Sequence, residues 1–315
     1  MNLHRQGWPH PLDRWPSAAT FAMKEIEINP PTAASADRAG LHAVLLIHGL
    51  CGTPHEMTSL AARLRASGYV VRVPVGPGYG MAAAASGAID RYERWVEYFT
   101  EQFDELSARH ARVSIGGLCI GANIAIEIAA QRDAVSSLVL ISTTLFYDGW
   151  NVSRLRVLLP LGYYTPVRRW YRVRETDPYG IKNLRLREWI AQQMDRAGGS
   201  IAGAASLPLT AIYQAQRLIR VAKRSLRAVS APTLVMHARE DDVSSLRSAD
   251  MVCSRIRSNE VIRLIFDDSY HMLTLDNERA TVARAAVDFL ERQASSARAH
   301  TPAAVVRSLA GSLAL

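Results

Sequence analysis

The sequence predicts an α/β protein with a mostly parallel central sheet, flanked by helices and interrupted by a helical insertion. Short apolar runs alternate along the chain with longer segments of helical period, the order from which parallel sheets are built. The runs are continuously apolar, as expected of strands covered on both faces. Between residues 146 and 230 this rhythm stops and an Arg-rich, aromatic-rich stretch takes its place. Composition permits the reading: of 315 residues 49% are hydrophobic and 21% charged, which excludes wholesale disorder and collagen-like or mucin-like chains.

Taken in order, residues 1–40 carry Pro9, Pro11, Pro16, Pro30 and Pro31 and read as an irregular lead-in, with one edge strand over 21–28. His42-Ala-Val-Leu-Leu-Ile47 is the first buried strand and ends in the turn His48-Gly-Leu-Cys-Gly52. Thr53-Pro54 opens a helix to residue 67, with proline in the first turn and Gly68 closing it. A second strand over 69–75 leads into Gly76-Pro-Gly-Tyr-Gly80, followed by a helix over 90–109 and a third strand over 111–118. A short apolar helix at 121–132 precedes strands at 137–142, 233–237 and 261–266, and a helix over 279–294 closes the sheet. The core is thus 41–145 with 231–294. Residues 146–230 form a cap with helices near 184–196 and 207–227, and the Ala- and Ser-rich tail 295–315 is expected to be mobile.

No apolar run approaches the roughly 18 to 20 residues that span a bilayer. Trp8, Pro9, Pro11, Asp13 and Pro16 stand where a secretory signal would need an apolar stretch, so a soluble chain without a signal peptide is expected. Cys51, Cys119 and Cys253 are too few and too scattered for a disulfide framework or a zinc site, which favours a reducing, cytoplasmic setting. No metal or cofactor motif is present.

The net charge is +8, but residues 151–230 hold fifteen Lys and Arg against four acids, so this segment alone is +11 and the rest is −3. Solvated helix faces explain such a surplus as well as a basic rim does. The rim would attract an anionic substrate, coenzyme A or an acidic acyl carrier protein. Nucleic acid is not expected, since no recognised binding pattern accompanies the charge.

Chemistry concentrates where a strand meets a helix. Gly117-Leu-Cys-Ile-Gly121 has the form of a nucleophile elbow with cysteine at its centre. Glycine two residues either side leaves room for the neighbouring strand and helix, and a helix N-terminus favours the thiolate of Cys119. A small buried cysteine in a glycine-rich strand end is the structural alternative. Acyl transfer needs two N–H donors on the developing oxyanion: Ile120 follows the nucleophile, and Leu50 follows His48-Gly49 at the end of the first strand. Cys51 beside Leu50 is read as an inert neighbour, with a reversible disulfide to Cys119 as the lesser alternative.

The acid and base follow in chain order. The strand from Pro232 runs into Arg239-Glu-Asp-Asp242, where Asp241 is the preferred triad acid, Asp242 the runner-up and Glu240 the third choice. His271, just past the last strand, is placed to reach back to Cys119.

Together these pieces resemble the α/β-hydrolase superfamily, and within it the small bacterial carboxylesterase and monoglyceride-lipase-like group. The resemblance rests on Leu45-Leu-Ile-His-Gly-Leu-Cys-Gly52, Pro74-Val-Gly-Pro-Gly-Tyr-Gly80, Trp95, Gly117-Leu-Cys-Ile-Gly121, Ala231 to Asp241 and Ser269 to Asp276. It implies hydrolysis of an ester or thioester, a triad of Cys119, Asp241 and His271, and oxyanion donors at Leu50 and Ile120. The group's acid stands three residues beyond a small residue, here Ala238, which selects Asp241. Two departures stand out: cysteine replaces the usual serine, as in some thioesterases and dienelactone hydrolases, and Tyr79 replaces a histidine. An acyl-cysteine is itself an activated thioester, so acyl transfer to an acceptor is the alternative to hydrolysis.

Overall fold

Continuously apolar strands must be covered on both faces, and a computed structural model, which describes residues 41–300, shows how. Strand β1 (His42–Ile47) sends Ala43, Leu45 and Ile47 into one apolar cluster and Val44 and Leu46 into another. After it come α1 (Thr58–Ala66), β2 (Val70–Arg72), α2 (Met81–Ser86), α3 (Tyr92–Ser107), β3 (Arg112–Leu118), α4 (Ile120–Gln131) and β4 (Val135–Ile141). The insertion holds α5 (Leu159–Tyr163), β5 (Arg172–Arg174), α6 (Leu184–Ala197), β6 (Gly199–Ser200), β7 (Gly203–Ala204), β8 (Ser206–Pro208) and α7 (Leu209–Ser225). The chain then returns through β9 (Thr233–Ala238), α8 (Leu246–Arg255), β10 (Val261–Phe266) and α9 (Arg279–His300).

Six strands form one parallel sheet in the order β10-β9-β4-β3-β1-β2. Helices α3, α4, α7 and α8 contribute to the cluster on one face, and α1, α6 and α9 to that on the other. Helix α4, between sheet and helices, is buried from Ile120 to Ala129 on all sides, as its run of Ile and Ala requires. Trp95 of α3 is fully buried, donates to the carbonyl of Gly78 at 2.9 Å and packs its ring at a tilt against Tyr79, which fixes the Pro-Gly loop beside β1.

The strand expected over 69–75 is paired only from Val70 to Arg72, because Pro74 follows at the sheet edge with no N–H to donate. The helix expected from Thr53 begins as a 3₁₀ turn, Pro54–Met57. The closing helix runs past Ala294 to His300, so the first part of the expected tail is helical. Residues 301–315, like the lead-in and the strand expected at 21–28, lie outside the described residues. Within the insertion, α6 starts at an Asn183 cap and ends at Gly198 in the left-handed region, so both boundaries follow from capping residues. The short antiparallel pair β5–β8 in the insertion and helix α8 in the core have no counterpart in the sequence reading.

Candidate active site

Cys119 lies at the β3–α4 junction with φ 56° and ψ −115°, backbone that costs a residue with a Cβ on the order of 1–3 kcal/mol. The turn is tight enough that a Cβ on Gly121 would overlap the carbonyls of Ile47 and His48, and one on Gly117 would overlap Gly121 and Ala122. Helix α4 therefore begins directly against the end of β1. The N–H of Cys119 is held by the carbonyl of Ile141 at 3.0 Å, and its half-buried sulfur lies 3.3 Å from Oγ1 of Thr144.

His271 presents Nδ1 to both oxygens of Asp241, at 2.9 Å to Oδ1 and 2.8 Å to Oδ2. Two acceptors on one nitrogen place a proton on Nδ1, and the buried Nε2 is left with no partner other than the Cys119 sulfur. Burial works against the imidazolium, but the Asp241 carboxylate and then Cys119 outweigh it and hold the histidine well above its ordinary pKa. Asp241 is likewise driven up by burial and more strongly down by His271, His237 and the N–H of Ser244, so its pKa lies below the ordinary value. Oδ1 also accepts N–H bonds from Val243 at 2.9 Å and Ser244 at 2.7 Å, which fix the carboxylate in place. The loop after β4 joins the partners: Ser142 Oγ donates to the His271 carbonyl at 2.6 Å, and Thr144 reaches Cys119.

The structure thus brings Cys119, His271 and Asp241 to one end of the sheet. Asp242 is turned elsewhere, accepting the N–H groups of Gly180 at 3.2 Å and His271 at 3.3 Å, a tie between the insertion and the histidine loop. Glu240 points outward and pairs with Lys182 at 2.9 Å.

Ile120 opens α4, where N–H groups have no intrahelical acceptor. Leu50 follows the turn after β1, and its N–H has no partner among the described residues. Tyr79 donates its hydroxyl to the His48 carbonyl at 2.8 Å and accepts the Cys51 N–H at 3.1 Å, so the residue that departs from the group's pattern braces this turn. Cys51 is buried, free and pushed up in pKa, chiefly by burial.

Four neighbours were not foreseen: Thr144, Tyr147, Glu56 and Glu175. Burial, then the nearby Cys119, raises the Tyr147 phenol. Burial and Asp242 push Glu175 of the insertion up to about 7, against the pull of His271. Only Glu56 had a local signal, the Thr53-x-x-Glu56 capping pattern. Many of the insertion's arginines are engaged within the protein. Arg172 bonds Ser206 and Ala84, Arg174 pairs with Asp195, and Arg217 pairs with Glu93. No cluster able to hold a metal occurs among the described residues, and none of their helices is long and apolar enough to cross a membrane.

A six-stranded parallel sheet with a tight strand-to-helix turn and a His–Asp pair beside it defines an α/β-hydrolase, an enzyme of the lipase and esterase type. The chain belongs to the Hydrolase_4 family, described as serine aminopeptidase S33, whose model matches residues 40–278. It is 24% identical over 253 residues to a thermostable monoacylglycerol lipase of Bacillus sp. (strain H-257), covering 80% of this chain and 91% of that one. A carboxylesterase of Bacillus subtilis (strain 168) is 22% identical over 274 residues, 86% of this chain and 99% of the relative. The monoacylglycerol lipase structure from Paleococcus ferrophilus shares the fold with a TM-score of 0.65 at 18% identity, covering 81% of this chain and 96% of that chain.

Proposed function

We propose that this protein hydrolyses a carboxylic ester or thioester through an acyl-cysteine intermediate on Cys119. The observation that carries the reading is the His271 ring. Nδ1 is held by both oxygens of Asp241, which leaves Nε2 for Cys119, and the sulfur is near enough to raise the imidazole's pKa. In acylation the Cys119 sulfur, its proton held on His271, bonds to the substrate carbonyl carbon, and the N–H groups of Leu50 and Ile120 receive the oxyanion. The intermediate collapses as the alcohol or thiol leaves with the proton from His271. In deacylation the same imidazole takes a proton from water, hydroxide adds to the thioester carbonyl, and the Cys119 thiolate leaves. Asp241 stays ionised throughout and stabilises the imidazolium.

The names of the Bacillus relatives, a monoacylglycerol lipase and a carboxylesterase, support an uncharged ester as substrate. Nothing in the site favours transfer to an acyl acceptor over hydrolysis. Iodoacetamide tests the nucleophile. It is expected to label Cys119 ahead of Cys51 and Cys253, whose thiols burial pushes up, and to abolish ester turnover in step with that labelling. Labelling of the other two with full activity retained would remove the reading.

A further inference from the structure

Glu56 lies beneath the turn from Gly49 to Thr53 and takes no part in the steps above. It is 2% exposed, and Oε2 accepts the Gly49 N–H at 2.7 Å while Oε1 accepts that of Thr53 at 3.3 Å. The Thr53 bond belongs to a capping box of the Pro54–Met57 turn. The shorter bond does not: it reaches back seven residues, out of the box and into the turn beside the nucleophile. A Cβ on Gly49 would lie 3.1 Å from Oε2 and 3.7 Å from the Cβ of Cys119, and one on Gly52 would overlap the carboxylate. Carboxylate, turn and nucleophile therefore lie in succession, with the closest packing between the carboxylate and Gly52.

The backbone donors of this turn are nearly all engaged. Gly49 and Thr53 donate to Glu56, Cys51 donates to the Tyr79 carbonyl at 3.1 Å, and Gly52 donates to the Gly49 carbonyl at 3.1 Å. Only the N–H of Leu50 lacks a partner among the described residues. From above, the insertion adds the Ala204 N–H on the Cys51 carbonyl at 3.1 Å. A buried carboxyl is costly, and burial does push Glu56 up to about 7, against its two N–H bonds and the pull of His271. A surface cap would not require that cost.

We infer that Glu56 is a positioning residue for the oxyanion site, its carboxylate clamping the Gly49 and Thr53 N–H groups that bracket the turn around Leu50, so that the Leu50 N–H is held ready for the developing oxyanion. The inference rests on the acyl-cysteine reading. Its test compares two reactions of the same sulfur. Iodoacetamide is displaced at a saturated carbon, the thiolate forming an S–C bond as iodide leaves, and no oxyanion develops. p-Nitrophenyl acetate is attacked at its carbonyl, an oxyanion forms, and p-nitrophenolate leaves.

In Glu56→Gln the amide nitrogen cannot accept, so one of the two N–H groups loses its acceptor. Acylation by p-nitrophenyl acetate is expected to slow by about ten- to a hundredfold, mainly in kcat, because one oxyanion donor is displaced rather than deleted. Alkylation of Cys119 is expected to stay within about threefold of wild type, since the thiol, His271 and Asp241 stay in place and Asp241 and Cys119, not Glu56, are the groups that raise the imidazole. Equal loss of both rates, or loss of neither, overturns the inference. Should Glu56→Gln lose its native circular dichroism, Glu56→Asp carries the same test, because it keeps the charge but is one methylene too short to bridge both donors. Wild-type protein that keeps its activity after Cys119 is alkylated overturns the acyl-cysteine reading itself, and that result appears before any Glu56 variant is made.

Discussion

His271 and Asp241 meet through both carboxylate oxygens, 2.9 and 2.8 Å from Nδ1, while the adjacent Asp242 binds only backbone N–H groups. Two neighbouring acids thus have different work. Asp241→Asn is expected to lower kcat by roughly a thousandfold or more, because an amide can offer its N–H to the ring and fix the wrong tautomer. Asp242→Asn retains an acceptor oxygen and is expected to stay within about tenfold of wild type. Steady-state kinetics of both variants on one aryl ester separate them, and equal losses would contradict the assignment.

The backbone at Cys119 predicts an order of stabilities. Ala keeps the Cβ at φ 56°, whereas Gly adopts that conformation freely, so Cys119→Gly should be more stable than Cys119→Ala by about 1 kcal/mol although neither turns over. Urea unfolding of the pair measures this. Ala matching Gly would mean that the turn holds no strain.

Gly121 makes a harder demand. Its missing Cβ would overlap two backbone carbonyls at the end of β1, which no side-chain adjustment can relieve. Gly121→Ala is expected to cost about 3 kcal/mol, seen as a lower urea midpoint.

Gly117, Cys119, Gly121, Asp241 and His271 stand out in the sequence as candidates because each lies at or just beyond a strand end, where local pattern and chain order coincide. Asp241 is preferred to Asp242 in the sequence by its spacing from Ala238 in the group it resembles; what separates them physically is what packs on them, the His271 ring on one and backbone N–H groups on the other. Glu175 and Tyr147 carried no signal at all: their place beside Asp242 and Cys119 arises when the insertion folds back over the core. The insertion's arginines were legible as charge, but their partners on Asp195, Glu93 and Ser206 were not. The sequence predicts β2 too long because apolar residues continue beyond Arg72, whereas pairing stops before Pro74.

Glu175 supplies a pH test. Its carboxyl is raised from the ordinary value to about 7, so the folded protein holds a proton between pH 4.5 and 7 that the unfolded chain has released. Wild type therefore loses this stabilisation as pH rises through 7, and Glu175→Gln has none to lose. The difference in Tm, variant minus wild type, is expected to grow from pH 5 to pH 8. A constant difference would show that Glu175 titrates normally.

The most direct measurement is the intact mass of the protein quenched within seconds of mixing with a short acyl thioester or a neutral aryl ester, beside Cys119→Ala. The account predicts one acyl group added to wild type, lost again as product forms, and none on Cys119→Ala. Turnover of either donor by Cys119→Ala at the wild-type rate, or an adduct that survives the substitution, would contradict it.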